Sequence, residues 1–573
     1  MKNYKFFNLF FIVAIFLFGS CETIDLDQTE NPSTPNAELL NPLFAFNYVQ
    51  LRLPDFVHAT NGFTQEVTRQ MAMTGGNTYD NAYAPVNFNN QWSTGYIILN
   101  AIKTMEPKAI QENRTFILGA SKIIRCYVLM TYVDMYGKIP YSESLLGVGN
   151  ITPKYDDDEE VYEGILNELD EAIATLSTAG NVQGIQDLYY GGSAPKWITL
   201  ANTLKLKMYN NCNRLTTVGA KNVSNEINAI IAQNNIIDSA EEDFVFQYGN
   251  SRFTPNSRHP LYNDQYELGG GAYIGNYFMW AMTTEKGSTP DFSNSVTDPG
   301  DPRVNYYFYR QDSNPQDDDT FTLPNRSRPD HYNNVKYNSF FDNGIRTPYT
   351  VSNWTSGGLV ANGFWGRDHG NNSGIPPDAN KRTCAGYYPI GGEYGGGTSV
   401  QSSGVAGQKG AGIMPIMLSS FTYYIKAELI LRGIIAGDAK TELQTAITKS
   451  IQKATGLFPD SGKGLSPAVI ATKTTKYLDF IESVYDEADD DRRLELVIKE
   501  YYIATWGNGI EGYNNYRRTG YPSNFQPTLE PESGAFYNTA FYAGNAINNN
   551  PNVPENVRTR KVFWAIPNTE ILN

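Results

Sequence analysis

Four histidines and four cysteines in 573 residues leave little material for metal or redox chemistry. His58, His259, His331 and His369 are scattered, with no HExxH and no paired spacing, so neither a metal site nor a cofactor is expected. No CxxC occurs, and apart from Cys21 only Cys126, Cys212 and Cys384 remain, which allows one bridge and excludes a disulfide framework. No GxSxG elbow is present either. Asp368 beside His369 in GRDHG invites a catalytic dyad, but neighbours in sequence rarely face each other, and a loop-shaping role is the plainer reading. Basic charge is also in deficit, with 45 Lys and Arg against 60 Asp and Glu and a net charge of -15. That excludes nucleic acid, whose phosphates demand a Lys/Arg patch, and electrostatic docking on anionic lipid.

The apolar run over residues 9–18 is too short to span a bilayer, which takes roughly 20 residues. Lys2 and Lys5 precede it and Gly19, Ser20 and Cys21 follow it, the pattern of an export signal. A cysteine directly after small residues is similar to a bacterial lipobox, shifted by one place from its commonest form. Cleavage before Cys21 and lipidation of that residue are therefore expected, and several acyl chains would anchor it stably. The alternative is an ordinary secreted protein. An acidic segment follows Cys21, and residues up to about 35 then form a tether.

Hydrophobic residues make up 41% of the chain and aromatics 13%, enough to bury a large core. Over residues 116–176 the pattern is clearest. Phe116, Ala120, Ile123, Tyr127 and Met130 alternate at spacings of four and three, with Ile124 and Val128 widening the stripe of a helix that Gly137 and Pro140 stop. After Pro153, a run from Asp156 to Glu160 puts negative charge at the positive end of a second helix, whose buried face is Val161, Ile165, Leu169, Ala172 and Leu176. Further helices are predicted over 37–51, ended by Pro54, and over 63–73, 92–105, 194–215, 223–232, 418–437, 438–455 and 488–506. Between 244 and 414 the chain turns to Gly, Asn, Asp, Pro and Tyr, with turn dipeptides such as Asp298-Pro299. So long a loop-rich stretch is either functional or disordered, and its aromatics argue against disorder.

The run TYVDMYGKIPYSESL followed by TPKYDDDEEVYEGILNELDEAIATL resembles the SusD/RagB family, in which a helix ending in YG.(I/V)PY precedes P.YD..E.VY..I...L..A. APKWITLANTLKLKMYNNCNRL is similar to that family's W..LAN.LKL helix, and Asp301-Pro302-Arg303 to its DPR element. FWGRDHGN resembles a signature of one branch, Lys426, Ala427 and Glu428 have the character of its AE element, and Arg518, Gly520, Tyr521 and Pro522 match R.GYP. RKVFWAIPNTEILN matches its terminal segment, so the resemblance runs from Cys21 to the last residue. It implies a mainly α, SusD-like fold: a signal peptide over 1–20, a lipidated tether over 21–35 and a single body over 36–573. In that body degenerate tetratricopeptide helix pairs, about 36–240 and 415–510, pack against an irregular ligand-binding region at about 244–414, with a C-terminal segment over 511–573. It also implies a non-catalytic lipoprotein facing outward from the cell outer membrane, which binds oligosaccharide and caps a SusC-like TonB-dependent transporter.

Sugars present apolar C–H faces between rings of hydroxyls, so a binding surface needs flat aromatics for stacking and amides or charges for orientation. Such residues concentrate in two loop-rich places. One holds Asn77, Tyr79, Tyr83, Asn87 and Trp92, and the other Tyr266, Tyr273, Tyr277, Trp280, Tyr306, Trp354, Trp365 and Tyr394. The expected ligand surface is Asn77, Tyr79, Tyr83, Trp280, Trp354 and Tyr394. For any single ring the plainer reading is packing, above all for Trp365, Tyr387 and Tyr388. Asp317, Asp318 and Asp319 are better read as a solvated acidic loop than as a calcium site. Three alternatives stay open: a peptide binder on the RagB side of the family, a surface glycoside hydrolase with two carboxylates about 5 to 10 Å apart across a cleft, and a structural adaptor for the transporter.

Overall fold

A computed structural model describes residues 40–72, 82–178, 182–269, 273–286, 300–312, 363–367, 369–370, 382–400, 403–526, 528 and 536–567. Cys21, Asn77, Tyr79, His331, Trp354, Asp368 and the triplet at 317–319 lie outside these residues.

Helix α1 (Pro42–Val67) joins two segments that the sequence divides at Pro54. An internal proline frees the carbonyl four residues back, here that of Gln50. The Tyr189 hydroxyl donates to this carbonyl at 3.0 Å, so a tertiary contact replaces the missing helical bond. Helix α2 (Asn89–Gln111) likewise passes through Pro107, which sits on an exposed turn where water can take the freed carbonyl. The next helix, α3 (Thr115–Tyr136), is apolar and long enough to cross a bilayer, but 83% of its most apolar window is buried. Neighbours on several sides bury it: α1, α2, α4 (Asp158–Ser177) and α5 (Ala194–Asn211). Gly137, at φ 77°, closes α3 in a conformation that glycine adopts without strain. The connector is then clamped by Asp156, which accepts from the Tyr141 and Ser142 backbone at 2.9 and 2.8 Å and from the Ser142 hydroxyl at 2.7 Å. The predicted inner face of α4 is buried throughout, and so are Trp197, Leu200, Ala201 and Leu204 on α5. Helix α6 (Val223–Gln233) packs on α5 and ends this half of the scaffold.

The loop-rich region leaves and rejoins the scaffold at one place, because Phe244–Gln247 pairs antiparallel with Ile413–Met417. A second stitch pairs Met71–Ala72, just beyond α1, with Tyr273–Ile274, and a third pairs Phe308–Arg310 with Thr383–Ala385. At the second stitch a Cβ on Gly275 would lie 2.1 Å from the Arg69 carbonyl oxygen, so the approach to the end of α1 requires glycine. Short helix α7 (Asn276–Met282) follows, buried at every residue.

Helices α8 (Ser419–Leu431), α9 (Ala439–Thr455), α10 (Pro467–Glu487), α11 (Asp490–Ala504) and α12 (Gly509–Thr519) complete the scaffold. Contact between α8 and α5 joins the two halves, and α12 packs on α1. The sequence reading names neither α10 nor α12 as a helix. Helix α10 buries only Lys473, Tyr477, Ile481 and Tyr485, too thin a stripe for periodicity to find, although Ser466 before Pro467 is a helix-start signal. Cys126, Cys212 and Cys384 are buried free thiols.

Buried charge fixes the loop-rich region to these helices. The Arg303 guanidinium grips Asp301 through two bonds of 2.9 and 2.7 Å and reaches Glu500 of α11 at 3.0 Å and the Ser450 hydroxyl of α9 at 3.0 Å. Lys286 donates to Glu500 at 3.0 Å, and the Tyr477 hydroxyl of α10 donates to the same oxygen at 2.7 Å. Burial alone would raise the Asp301 carboxyl, but Arg303 and Lys286 beside it pull it down to about 2. Two cations thus face two anions with no access to water.

Removing one member of such a cluster leaves a buried charge uncompensated. Glu500→Gln is expected to lower stability by about 3–5 kcal/mol, read from the urea midpoint. The control, Glu482→Gln in a half-exposed pair with Lys440, should cost at most about 1 kcal/mol.

Candidate functional site

Of the six residues expected at a ligand surface, the described ones occupy three separate packing environments. Tyr83 is 1% exposed and lies edge-on to Phe63 and Tyr537, with centroids at 5.5 and 4.9 Å. Trp280, on α7, is 2% exposed, tilted against Tyr277 and near the Lys499 ammonium, 5.8 Å from its ring. Neither offers an open face for stacking in this conformation. Tyr394 is half-buried, edge-on to Tyr306 at 5.0 Å. Tyr266, Tyr273, Tyr277, Tyr306, Trp365, Tyr387 and Tyr388 are all buried, so most described aromatics of the loop-rich region are used in holding it to the helices.

The structure brings together a different set of residues. A cleft of about 170 Å³ opens where α1 meets the loop-rich region. His58, Asn61 and Gln65 line it from α1 at spacings of three and four that place them together on the helix surface, and Gly62 and Glu66, four apart, form the next row. The floor is apolar, made by Met71, Pro389, Ile390 and Trp506. Asn61 is held rigidly, donating to the Gly507 carbonyl at 2.7 Å and accepting from Gly509 N at 2.9 Å. His259 accepts from Leu261 N at 3.2 Å through Nδ1, and His58 stands edge-on to it at 6.1 Å. His58, Glu66 and Asp264 are partly exposed at the mouth.

Among the described residues no lysine or arginine lines the cleft, though the Arg382 guanidinium acts on Asp264 from nearby. Burial lowers the His58 imidazole to about 4, and burial together with His58 takes His259 well down, so both rings are neutral near pH 7. Burial pushes the Glu66 carboxyl up to about 8 against the Tyr83 hydroxyl, which pulls it down, and burial also raises Asp264 against the Arg382 guanidinium, which pulls it down. Such a lining can give and accept hydrogen bonds and can stabilise positive charge. A second groove, of about 490 Å³, lies between α2, α3 and α4, where Arg125 holds Glu168 at 2.8 Å, Lys122 holds Glu171 at 2.7 Å and Glu106 is exposed.

The sequence reading missed the first cleft because it ended a helix at Pro54 and treated 58–62 as a connector. The available signal was the spacing of His58, Asn61 and Gln65 on what is one continuous helix.

A family model described as SusD-like, starch-binding and associating with outer membrane matches residues 30–334 and 378–539. Among solved structures, a SusD homolog from Bacteroides fragilis has a TM-score of 0.61 and 18% identity, covering 90% of this chain and 98% of its own. A chitin-binding SusD homolog from Flavobacterium johnsoniae has a TM-score of 0.59 and 18% identity, covering 91% and 98%. A SusD/RagB family protein from Bacteroides thetaiotaomicron has a TM-score of 0.61 and 16% identity, covering 90% and 98%. At these identities the likeness is one of fold. No curated protein matches the chain.

The raised Glu66 carboxyl has a signed consequence for stability. The unfolded chain gives up that proton near 4.5 and the folded chain near 8, so stability falls as pH rises between those values. Glu66→Gln, which keeps shape and stays neutral, should match the parent in thermal midpoint at pH 4 and exceed it increasingly up to pH 8.

Proposed function

Because the chain belongs to the SusD-like family of starch-binding proteins that associate with the outer membrane, we propose that it captures oligosaccharide at the cell surface and passes it to a SusC-like TonB-dependent transporter. The observation that carries this reading is the family match over 30–334 and 378–539, which includes both the α1 side and the loop-rich side of the cleft. The chitin-binding relative from Flavobacterium johnsoniae supports glycan as the cargo class. In this reading residues 1–20 direct export, Cys21 carries the lipid, and a tether leaves the body facing outward. Binding alone performs the task, so no catalytic residue is assigned.

One observation favours a second reading, hydrolysis. Glu66, with its raised carboxyl, shares a cleft with Asp264, and an acid of that kind beside a second carboxylate is how glycosidases divide their roles. Against it stands the size of the cleft, about 170 Å³, since cleavage requires sugar on both sides of the broken bond.

A panel of polysaccharides and peptides, run by affinity electrophoresis and calorimetry with a parallel assay for reducing ends, separates these readings. Retardation by a glycan with no new reducing ends is the expected result. New reducing ends would establish the hydrolase, and binding confined to peptides would replace the glycan cargo.

A further inference from the structure

A pyranose stacks on a flat ring only where the ring is open, and Trp506, in the floor of the cleft beside α1, is 1% exposed and offers no such face. The cleft is also small. A cavity of about 150 Å³ holds one benzene ring, so this one, at about 170 Å³, admits a single ring-sized group, and a glycan chain has to continue outside it. The next unit needs an open ring beside the mouth.

Among the described residues three aromatic rings are exposed: Phe44, Tyr48 and Phe253. The first two sit on the opening turns of α1, ten or more residues before His58. Phe253, 72% exposed, belongs to a loop over residues 249–257 that is rooted at the wall of the cleft. At its base Tyr248 lies edge-on to His259, which lines the cleft, with centroids at 4.8 Å. The loop is closed on itself. Gly249 N donates to the Ser257 carbonyl at 2.8 Å, Ser257 N to the Ser251 carbonyl at 3.0 Å, and the Ser251 hydroxyl to the Phe253 carbonyl at 2.9 Å.

The ring is fixed as well. The Arg252 guanidinium lies over it, 5.2 Å from the centroid, and donates through Nε to Glu267 at 2.6 Å, while the buried Arg258 grips the same carboxylate. Glu267 follows Asp264 of the cleft lining by three residues, so this contact ties the ring to the cleft. Leu268 and Val405, both exposed, widen the apolar surface on either side of Glu267, and a Cβ on Gly404 would lie 3.5 Å from its side chain. One face of Phe253 rests on a cation and the other is left to solvent.

We propose that Phe253 is the stacking platform of an outer subsite, which takes the pyranose next to the one in the cleft, and that the half-exposed Arg252 donates its remaining N–H groups to that sugar's hydroxyls. The assignment rests on the glycan-capture reading and names the place where a chain gains affinity over a single sugar.

Calorimetry on the purified protein with maltohexaose and N-acetylchitohexaose, each against its monosaccharide, tests this, and affinity electrophoresis over the polysaccharide panel carries the comparison to other glycans. Phe253→Ala is expected to weaken hexasaccharide binding about tenfold and to narrow the gap to the monosaccharide. The side chain is exposed, so the fold is not at risk. Phe253→Trp, which keeps a flat ring, should retain the affinity, and Phe253→Leu, apolar without a flat face, should not. Phe44→Ala removes an equally exposed ring far from the cleft and should change nothing. Equal glycan affinity or retention in the parent and Phe253→Ala, or full affinity in Phe253→Leu, would overturn the proposal and leave glycan capture intact. Loss of self-association or of peptide binding in Phe253→Ala, with glycan binding unchanged, would overturn it in favour of a protein partner. A parent protein that binds neither hexasaccharide and is retained by no polysaccharide would overturn both readings.

Discussion

Lys286, Asp301, Arg303 and Glu500 form a neutral cluster sealed from water, and the placement of the loop-rich region depends on it. A helix finds its place by burying a periodic stripe, but a region built of turns has no stripe to bury. Its aromatics could pack in many ways, because the hydrophobic effect has no direction. Charged groups in a dry interior are tolerated only where partners and geometry match. Arg303 meets Asp301, Glu500 and Ser450 together in a single arrangement, and with Lys286 this fixes the residues around 286 and 301–303 against α9, α10 and α11. The neighbouring Lys499–Glu285 pair, at 2.8 Å and equally buried, adds a second tie along the same seam.

The motifs through which the sequence resembles its family turn out to be joints of this kind. Asp301-Pro302-Arg303 is half of the cluster. Arg518 of the R.GYP element grips Glu428 of the AE element through bonds of 3.0 and 2.6 Å, with both residues buried. The aspartate of the YD element, Asp156, closes the turn after α3. These contacts specify the fold, since each joins two elements of this chain. That is why recognising them identified the architecture while leaving the cargo open.

What was legible in the sequence follows the same division. The stripe Val161, Ile165, Leu169, Ala172 and Leu176 reports a helix pressed on one side, and it was readable from spacing alone. Proline 54 misled because its cost is met by Tyr189, a residue far along the chain whose hydroxyl no local pattern could place. The aromatic count of the loop-rich region could not separate rings that pack from rings that face solvent: Trp280 went inward, as did Tyr83 in the earlier loop. Glu66 and Asp264 were lost among 60 acidic residues, since what distinguishes them is the company they keep across the cleft, set by strand pairing between Met71–Ala72 and Tyr273–Ile274.

The central claim is that glycan is captured where α1 meets the loop-rich region. Hydrogen exchange on the protein with and without a retained oligosaccharide tests it most directly. The account predicts slowed exchange over residues 58–72 and 259–268 and around 390, with the groove between α2, α3 and α4 unchanged. Protection confined to that groove, or to the far faces of α9 and α10, would contradict it.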